Sequence, residues 1–288
     1  MAAAASVVVI LAMPGFPQKP SPSKLVLIKS FDGFEESSRC EFLSSTVYLV
    51  AERGRHRIGL VGKKSVNVGG EGWGENSFDQ PAGMCSNGLS IYVADYGNRR
   101  VVRLDNGLHF VSSFGPTVFS DGKTEQLGSP VDVALSLENE LIVLDGENNR
   151  AVAFSREGKF IRSFGDVGSF EQRMHSPRKL RTDDRGNILV LDQNGILEYD
   201  QFGFFVNQLS LPEGHEIRGF GVRDSLLLLA TESSVLWCSR VGRALSMLGK
   251  KELIADGTVE SIQDIALRIN LLLILTSHRL FVYEIDAP

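Results

Sequence analysis

The chain has 288 residues, 43% of them hydrophobic and 23% charged, with a formal net charge of -5 and a pI near 5.6. This is an ordinary globular composition, and the whole-chain charge argues against long-range attraction to nucleic acid or an anionic membrane. Cys40, Cys85 and Cys238 are too few and too far apart for a disulfide framework or a thiolate metal site, so isolated buried thiols are expected.

In chain order, the first feature is an uncharged apolar run from Ala2 to Met13, followed by PGFPQKPSPS. The run is too short to span a bilayer as a helix, and the Pro/Ser-rich stretch reads as an extended linker. Its length suits the apolar core of an export signal, although the preceding Lys or Arg is missing. Residues 1–23 are therefore expected to be a remnant of such a signal, with an extracytoplasmic location favoured over a cytoplasmic one. No stable membrane span is expected.

Residues 24–288 are expected to form one domain of repeats. Residues 91–115 read IYVADYGNRRVVRLDNGLHFVSSFG and residues 141–165 read LIVLDGENNRAVAFSREGKFIRSFG. Asp95, Asn98 and Arg100 recur as Asp145, Asn148 and Arg150, and Ser-Phe-Gly recurs at both ends, each pair 50 residues apart. A period of this size marks repeat architecture. Within a copy, a strand follows a Pro, a very apolar strand ends in Asp, and a polar turn leads to a third strand. A Gly turn leads to the fourth. Four short strands joined by tight turns predict an antiparallel meander.

Traced outward, the Asp position is held by Glu52, Asp95, Asp145, Asp192, Thr231 and Thr276, at spacings of 43, 50, 47, 39 and 45 residues. That makes six units. The last is one strand short, while KLVLIKSFDG at 24–33 is a spare strand with a fourth-strand Ser-Phe. The expected fold is all-β. It is a six-bladed β-propeller of four-stranded antiparallel blades, closed by an N-terminal strand that completes the last blade. Closure removes sheet edges that would template aggregation.

The run GGEGWGENSFDQPAGM, the segments IYVADYGNRRVVRL and LIVLDGENNRAVAF, and the Ser-Phe-Gly endings resemble the NHL-repeat family of six-bladed propellers. The resemblance covers Lys24 to Pro288 and is strongest over residues 69–165. It implies a fold rather than one activity, because propellers host many.

An Asp that ends a buried strand can accept turn N–H groups or an Arg fork. The repeated Asp–Asn–Arg set is therefore expected to be blade architecture, and a site is to be sought where the repeat breaks. The resemblance implies that first strands line a central channel. It also puts the loops entering them on the same face as the second-to-third strand turns. On that layout Glu41, Gly83, Asp132, Lys179, Gly219 and Asp264 fall at the channel mouth, with Arg178 and Arg218 beside it. Glu41, Asp132, Arg178, Lys179, Arg218 and Asp264 are the candidate ligand-binding residues. Crowded like charges would raise a carboxylate pKa there, and the Lys would lower it. A small polar or cationic ligand would suit them, as would a divalent cation in the channel. No other cofactor is expected.

His56, Tyr96, His175 and His278 are the candidates on the face loops. A zinc lyase of the family, peptidylamidoglycolate lyase, carries zinc-binding His on the loops entering the first strands. Catalytic zinc usually has three protein ligands, and here the loops equivalent to that of His175 carry Gln80-Pro81 and Ser129-Pro130. No protein metal-ligand set is therefore predicted, and no GxSxG, HExxH, P-loop or GxGxxG pattern points to another enzyme class. Single-stranded RNA would need the cluster of Arg53, Arg55, His56, Arg57, Arg99 and Arg100 with Tyr96. Arg57 and Arg100 are expected to be structural, and the acidic mouth opposes an RNA strand.

These observations put a non-catalytic binding module first, a scaffold presenting one loop face to a protein, peptide or small ligand. The alternative is a metal-assisted lyase or hydrolase using the channel-mouth carboxylates. Binding of single-stranded RNA comes third.

Overall fold

In the computed structural model the residues described are 7–8, 24–115, 127–240, 244–249, 253 and 260–286. The segment expected to be an export remnant lies outside them, apart from β1 (Val7–Val8), which pairs with β2 (Lys24–Asp32). The protein is an all-β, six-bladed β-propeller of four-stranded antiparallel blades, as the repeat predicted.

Blade one is β3 (Ser37–Phe42), β4 (Tyr48–Glu52), β5 (Arg57–Val61) and β6 (Val66–Gly69). Blade two is β7 (Pro81–Ser86), β8 (Ser90–Asp95), β9 (Arg100–Asp105) and β10 (Phe110–Phe114). Blade three is β11 (Pro130–Leu135), β12 (Leu141–Asp145), β13 (Arg150–Phe154) and β14 (Phe160–Phe164). Blade four is β15 (Lys179–Thr182), β16 (Ile188–Asp192), β17 (Gly195–Tyr199) and β18 (Phe205–Leu209). Blade five is β19 (Gly219–Arg223), β20 (Leu226–Ala230), β21 (Ser234–Ser239) and β22 (Ala244–Gly249). Blade six is β23 (Ile262–Arg268), β24 (Leu271–Thr276) and β25 (Arg279–Asp286), completed by β2. The β2–β25 ladder runs from Lys24 opposite Asp286 to Asp32 opposite Arg279, so the spare N-terminal strand does complete the last blade.

The strand sequences explain their places. The second strands β8, β12 and β16 are buried at every position, which is why they read as unbroken apolar runs rather than alternating ones. The fourth strand β14 alternates half-buried and exposed, as a sheet with one wet face requires. Asp105 and Asp200 make the turns into the fourth strands. Each carboxylate accepts two nearby backbone N–H groups, from Gly107 and His109 and from Phe202 and Phe204, at 2.8–2.9 Å.

The chain divides into two compact units, Met1–Cys40 with Leu211–Pro288, and Glu41–Ser210. In the first, Leu25, Trp237, Ile262, Ile274 and Phe281 share one core. In the second, separate clusters gather around Met84 and Val93, around Val143 and Phe154, and around Leu144, Leu180 and Tyr199. Cys40, Cys85 and Cys238 are buried thiols, as expected.

One arrangement of first strands occurs once in each unit. In Glu41–Ser210, β11 bulges between Pro130 and Asp132, and Asp132 is fully buried. Its Oδ1 accepts the Val133 amide at 2.9 Å, and its Oδ2 accepts the Leu180 amide of the next blade at 2.7 Å. Arg181 Nη1 lies 3.8 Å away. On the other side is Gly83, where a Cβ would come within 2.2 Å of Asp132 Oδ1 and 2.5 Å of its Cα. In the other unit β23 bulges between Ile262 and Asp264. Asp264 Oδ2 accepts the Cys40 amide at 3.2 Å with Arg39 Nε at 3.8 Å, and a Cβ on Gly219 would meet Asp264 Oδ1 at 2.6 Å. Glycine is needed at both places for close approach of backbones.

Candidate functional site

The repeated polar set is blade architecture. Asp95 is fully buried, and its Oδ2 accepts Asn98 Nδ2 and Arg100 Nε, each at 2.8 Å. Its Oδ1 accepts the Asp79 amide at 2.7 Å. Arg100 goes on to donate to the carbonyls of Trp73, Gly74 and Ser77 at 2.8–2.9 Å, which pins the Gly-rich inter-blade loop. Burial pushes the Asp95 carboxyl up, and the bonds from Asn98, the Asp79 amide and Arg100 only partly offset it.

Blade four departs from this pattern. Asp192 pairs directly with Gly195, so Gln193 and Asn194 make a two-residue turn with no counterpart of Asn98 or Arg100. Asp192 Oδ2 instead accepts the amides of His175 and Ser176 at 2.8 and 3.2 Å. The shortened turn coincides with a cavity of about 490 Å³, lined by Phe170, Arg173, His175, Gln193, Asn194 and Gln208 among others. A second cavity of about 450 Å³ is lined by Tyr96, Ser129, Glu147, Asn149, His175 and Ser176, with Val131, Gly146 and Pro177. His175 belongs to both.

The setting of His175 is built from its own loop. Phe170–Gln172 forms a 3-10 turn, held where Gln172 Oε1 accepts the Ser169 amide at 2.9 Å. Tyr199 donates its hydroxyl to the Gln172 carbonyl at 2.9 Å. Burial, with Asp192 and Asp166 adding to it, pushes the Tyr199 phenol far up, so it stays a donor. The turn presents the Phe170 carbonyl to His175 Nε2 at 2.8 Å, and the two rings stack with centroids 4.1 Å apart. A carbonyl can only accept. Nε2 therefore carries the hydrogen, and Nδ1 is the basic nitrogen of the neutral ring.

The other expected residues fall as follows. Tyr96 joins His175 in the second cavity, and the Arg53 guanidinium lies 5.5 Å from its ring centre. Arg53 also donates to Gln80 Oε1 at 3.1 Å, while the Gln80 amide donates to His56 Nδ1 at 3.2 Å. His56 thus joins a surface network through Gln80 and Arg53 to Tyr96. In the other unit, His278 Nδ1 bonds the Phe34 carbonyl at 3.1 Å, and its amide donates to Glu260. Glu41 Oε1 accepts the Phe42 amide at 2.9 Å. Lys179 pairs with Leu191 in the sheet, and the Arg178 amide donates to the Leu191 carbonyl at 2.9 Å. Arg218 Nη2 lies 3.6 Å from Glu232 Oε2.

Asp132 and Asp264 are fully buried, each accepting a backbone amide of a neighbouring first strand. Carboxylates already engaged by backbone amides and beside an arginine suit a divalent cation poorly. Among the described residues no group of three or more His, Cys, Asp or Glu could hold a metal ion. The basic cluster is engaged too: Arg55 and Arg57 with Glu52, Arg99 with Glu147, and Arg100 with Asp95. Sequence reasoning missed Glu147, Asn149, Gln193 and Asn194. The available signal was position, because Glu147 and Asn194 stand where Gly97 stands in the clearest repeat.

The protein is a six-bladed propeller, and its Glu41–Ser210 unit carries two cavities that have His175 in both linings. No protein-family profile matches the chain. Over 115 residues, 38% of this chain, it is 28% identical to Protein brain tumor of Drosophila melanogaster, and the match spans 11% of that relative. Among solved structures, a streptogramin B lyase superposes with a TM-score of 0.63 at 9% identity, over 91% of this chain and 98% of that one. A catalytically inactive histidine-to-alanine virginiamycin B lyase from Staphylococcus aureus with quinupristin gives 0.61 at 11%, over 98% and 96%. A gluconolactonase from Xanthomonas campestris gives 0.65 at 13%, over 91% and 90%. At such identities the likeness is one of fold. It still overturns the order of expectations set by the sequence. A non-catalytic scaffold stood first because no catalytic motif was visible, yet these solved neighbours are enzymes and carry the same architecture. No helix among the described residues is long and apolar enough to cross a membrane.

Proposed function

We propose that this protein is an enzyme of the lyase or hydrolase type, with His175 as its base. The observation that carries the reading is an imidazole of fixed tautomer set where two cavities meet. In hydrolysis of an ester or lactone, Nδ1 takes a proton from water as the water oxygen attacks the carbonyl carbon. The C–O bond then breaks, and the alcohol leaves with the proton returned from the imidazolium. In an elimination the same nitrogen would take a proton from the carbon next to the one that bears the ester oxygen; a C=C bond forms, the alkyl C–O bond breaks, and the acid leaves as its carboxylate. The names lyase and lactonase among the fold neighbours support this reading, as does a virginiamycin B lyase inactivated at one histidine.

The test is turnover of a panel of lactones and esters, with products read by mass, since hydrolysis adds water and elimination does not. A positioned base contributes about 10²–10⁴-fold, and His175→Ala is expected to lose that much in kcat/KM. His109→Ala, on an exposed turn, is expected to match the parent protein. A panel without turnover, or an unaffected His175→Ala, overturns the proposal.

The repeats themselves we assign to the NHL type. Support comes from the GGEGWGENSFDQPAGM run, the two Asp–Asn–Arg segments, and the partial match to Protein brain tumor.

A further inference from the structure

The two cavities that share His175 have walls of different chemistry. Each has the volume of an ordinary small-molecule site, so a ligand that fits one leaves the other to water. On one side the Phe170 ring, 60% exposed, stands with Leu197 and the neutral amides of Gln193, Asn194 and Gln208, with the charged Glu171, Arg173 and Asp192 also in that lining. Gln208 Nε2 donates to the Asn194 carbonyl at 2.9 Å, which fixes that wall. On the other side Tyr96, Ser129, Glu147, Asn149 and Ser176 present hydroxyl, amide and carboxylate groups. Glu147 Oε2 accepts Ser129 Oγ at 3.1 Å and lies 3.1 Å from Arg99 Nη2, so its charge is already balanced. That wall suits uncharged hydroxyl groups better than an ammonium group.

The geometry points to a two-armed ester as the substrate. One arm carries an aromatic ring beside an amide and lies along Phe170. The other is uncharged and hydroxyl-rich and lies along Glu147 and Asn149, with the bond to be cleaved at His175. This rests on the function proposed above and names its substrate class. Aromatic pairing favours a ring on the first wall, and mixed amide donors and acceptors favour a neutral amide beside it.

The test uses three probes: the glycerol ester of N-benzoylglycine, the methyl ester of N-benzoylglycine, and glyceryl monoacetate. Binding energy of a remote arm is realised in the transition state, so removing either arm is expected to lower kcat by about tenfold or more. Phe170→Ala, which also removes the ring packed on His175, is expected to lower kcat/KM on both benzoylglycyl esters by about tenfold more than on glyceryl monoacetate. Asn149→Gly, which keeps the left-handed backbone at φ 50°, is expected to lower kcat/KM on the two glyceryl esters by more than on the methyl ester. Equal kcat on all three probes, or two variants with the same profile, overturns the inference. If the parent protein cleaves none of them, the function fails instead, and the arms are read by saturation-transfer NMR on the intact glycerol ester. Transfer to both arms, weakened at one end by each variant, upholds two subsites. Transfer to one arm or to neither overturns them.

Discussion

Gly83 is a tight point in the Glu41–Ser210 unit, because a methyl group there would sit 2.5 Å from a neighbouring backbone atom that cannot rotate away. Gly83→Ala is expected to cost about 1–3 kcal/mol by overpacking, read as a lowered midpoint in urea. An unchanged midpoint would mean that the Asp132 contact is loose. Arg100 matters for a different reason, since its removal leaves the buried Asp95 carboxylate without its ion pair. Arg100→Ala is expected to destabilise by about 3 kcal/mol, with the Asp95 carboxyl pushed further up. Glu260 works in the other direction. Burial tends to raise its carboxyl, but the Thr276 hydroxyl, Arg279 and the His278 amide outweigh it and leave Glu260 below its usual value of 4.5. A depressed folded-state pKa contributes stability that is present above the unfolded value and lost as pH falls through the folded one. Glu260→Gln is therefore expected to be less stable than the parent at neutral pH, with the gap closing on acidification. Parallel stability curves from pH 7 to about pH 3 would refute that.

At the scale of elements, what could be read from the sequence divides along one physical line. Blades were legible because Asp, Asn and Arg recur at the same offsets, and those side chains bind the loops that make each blade. The cavities were not legible, because each wall is made by residues that differ from blade to blade. Besides the residues that stand where Gly97 does, a trace was the loss of the Asn and Arg after Asp192, which shortens that turn. Asp132 and Asp264 were placed at the mouth by counting along strands on the layout that the family resemblance implied. A one-residue bulge precedes each of them, at Val131 and Gln263, and regular alternation gives no sign of a bulge. The short turn also invites a direct experiment. Replacing Gln193-Asn194 with the longer Gly146–Asn149 segment is expected to fill the adjoining cavity and abolish turnover while the far-ultraviolet circular dichroism stays that of an all-β protein. Retained turnover would separate that cavity from the reaction.

For the whole molecule, β2 and β25 pair along the length of both strands, from Lys24 with Asp286 to Asp32 with Arg279. Blade six therefore stays open until nearly all of the intervening chain has been synthesised. Folding of this unit must bring together segments distant in sequence, and such contacts slow folding because loop closure comes before any gain. Meanwhile the β2 edge is free to recruit another strand, a hazard that Lys29 and Asp32 within it help to limit. During synthesis β2 waits for a partner that lies more than two hundred residues further along the chain. A circular permutant that carries β2 directly after Asp286 turns that distant pairing into a hairpin. It should reach the same native state by a faster route.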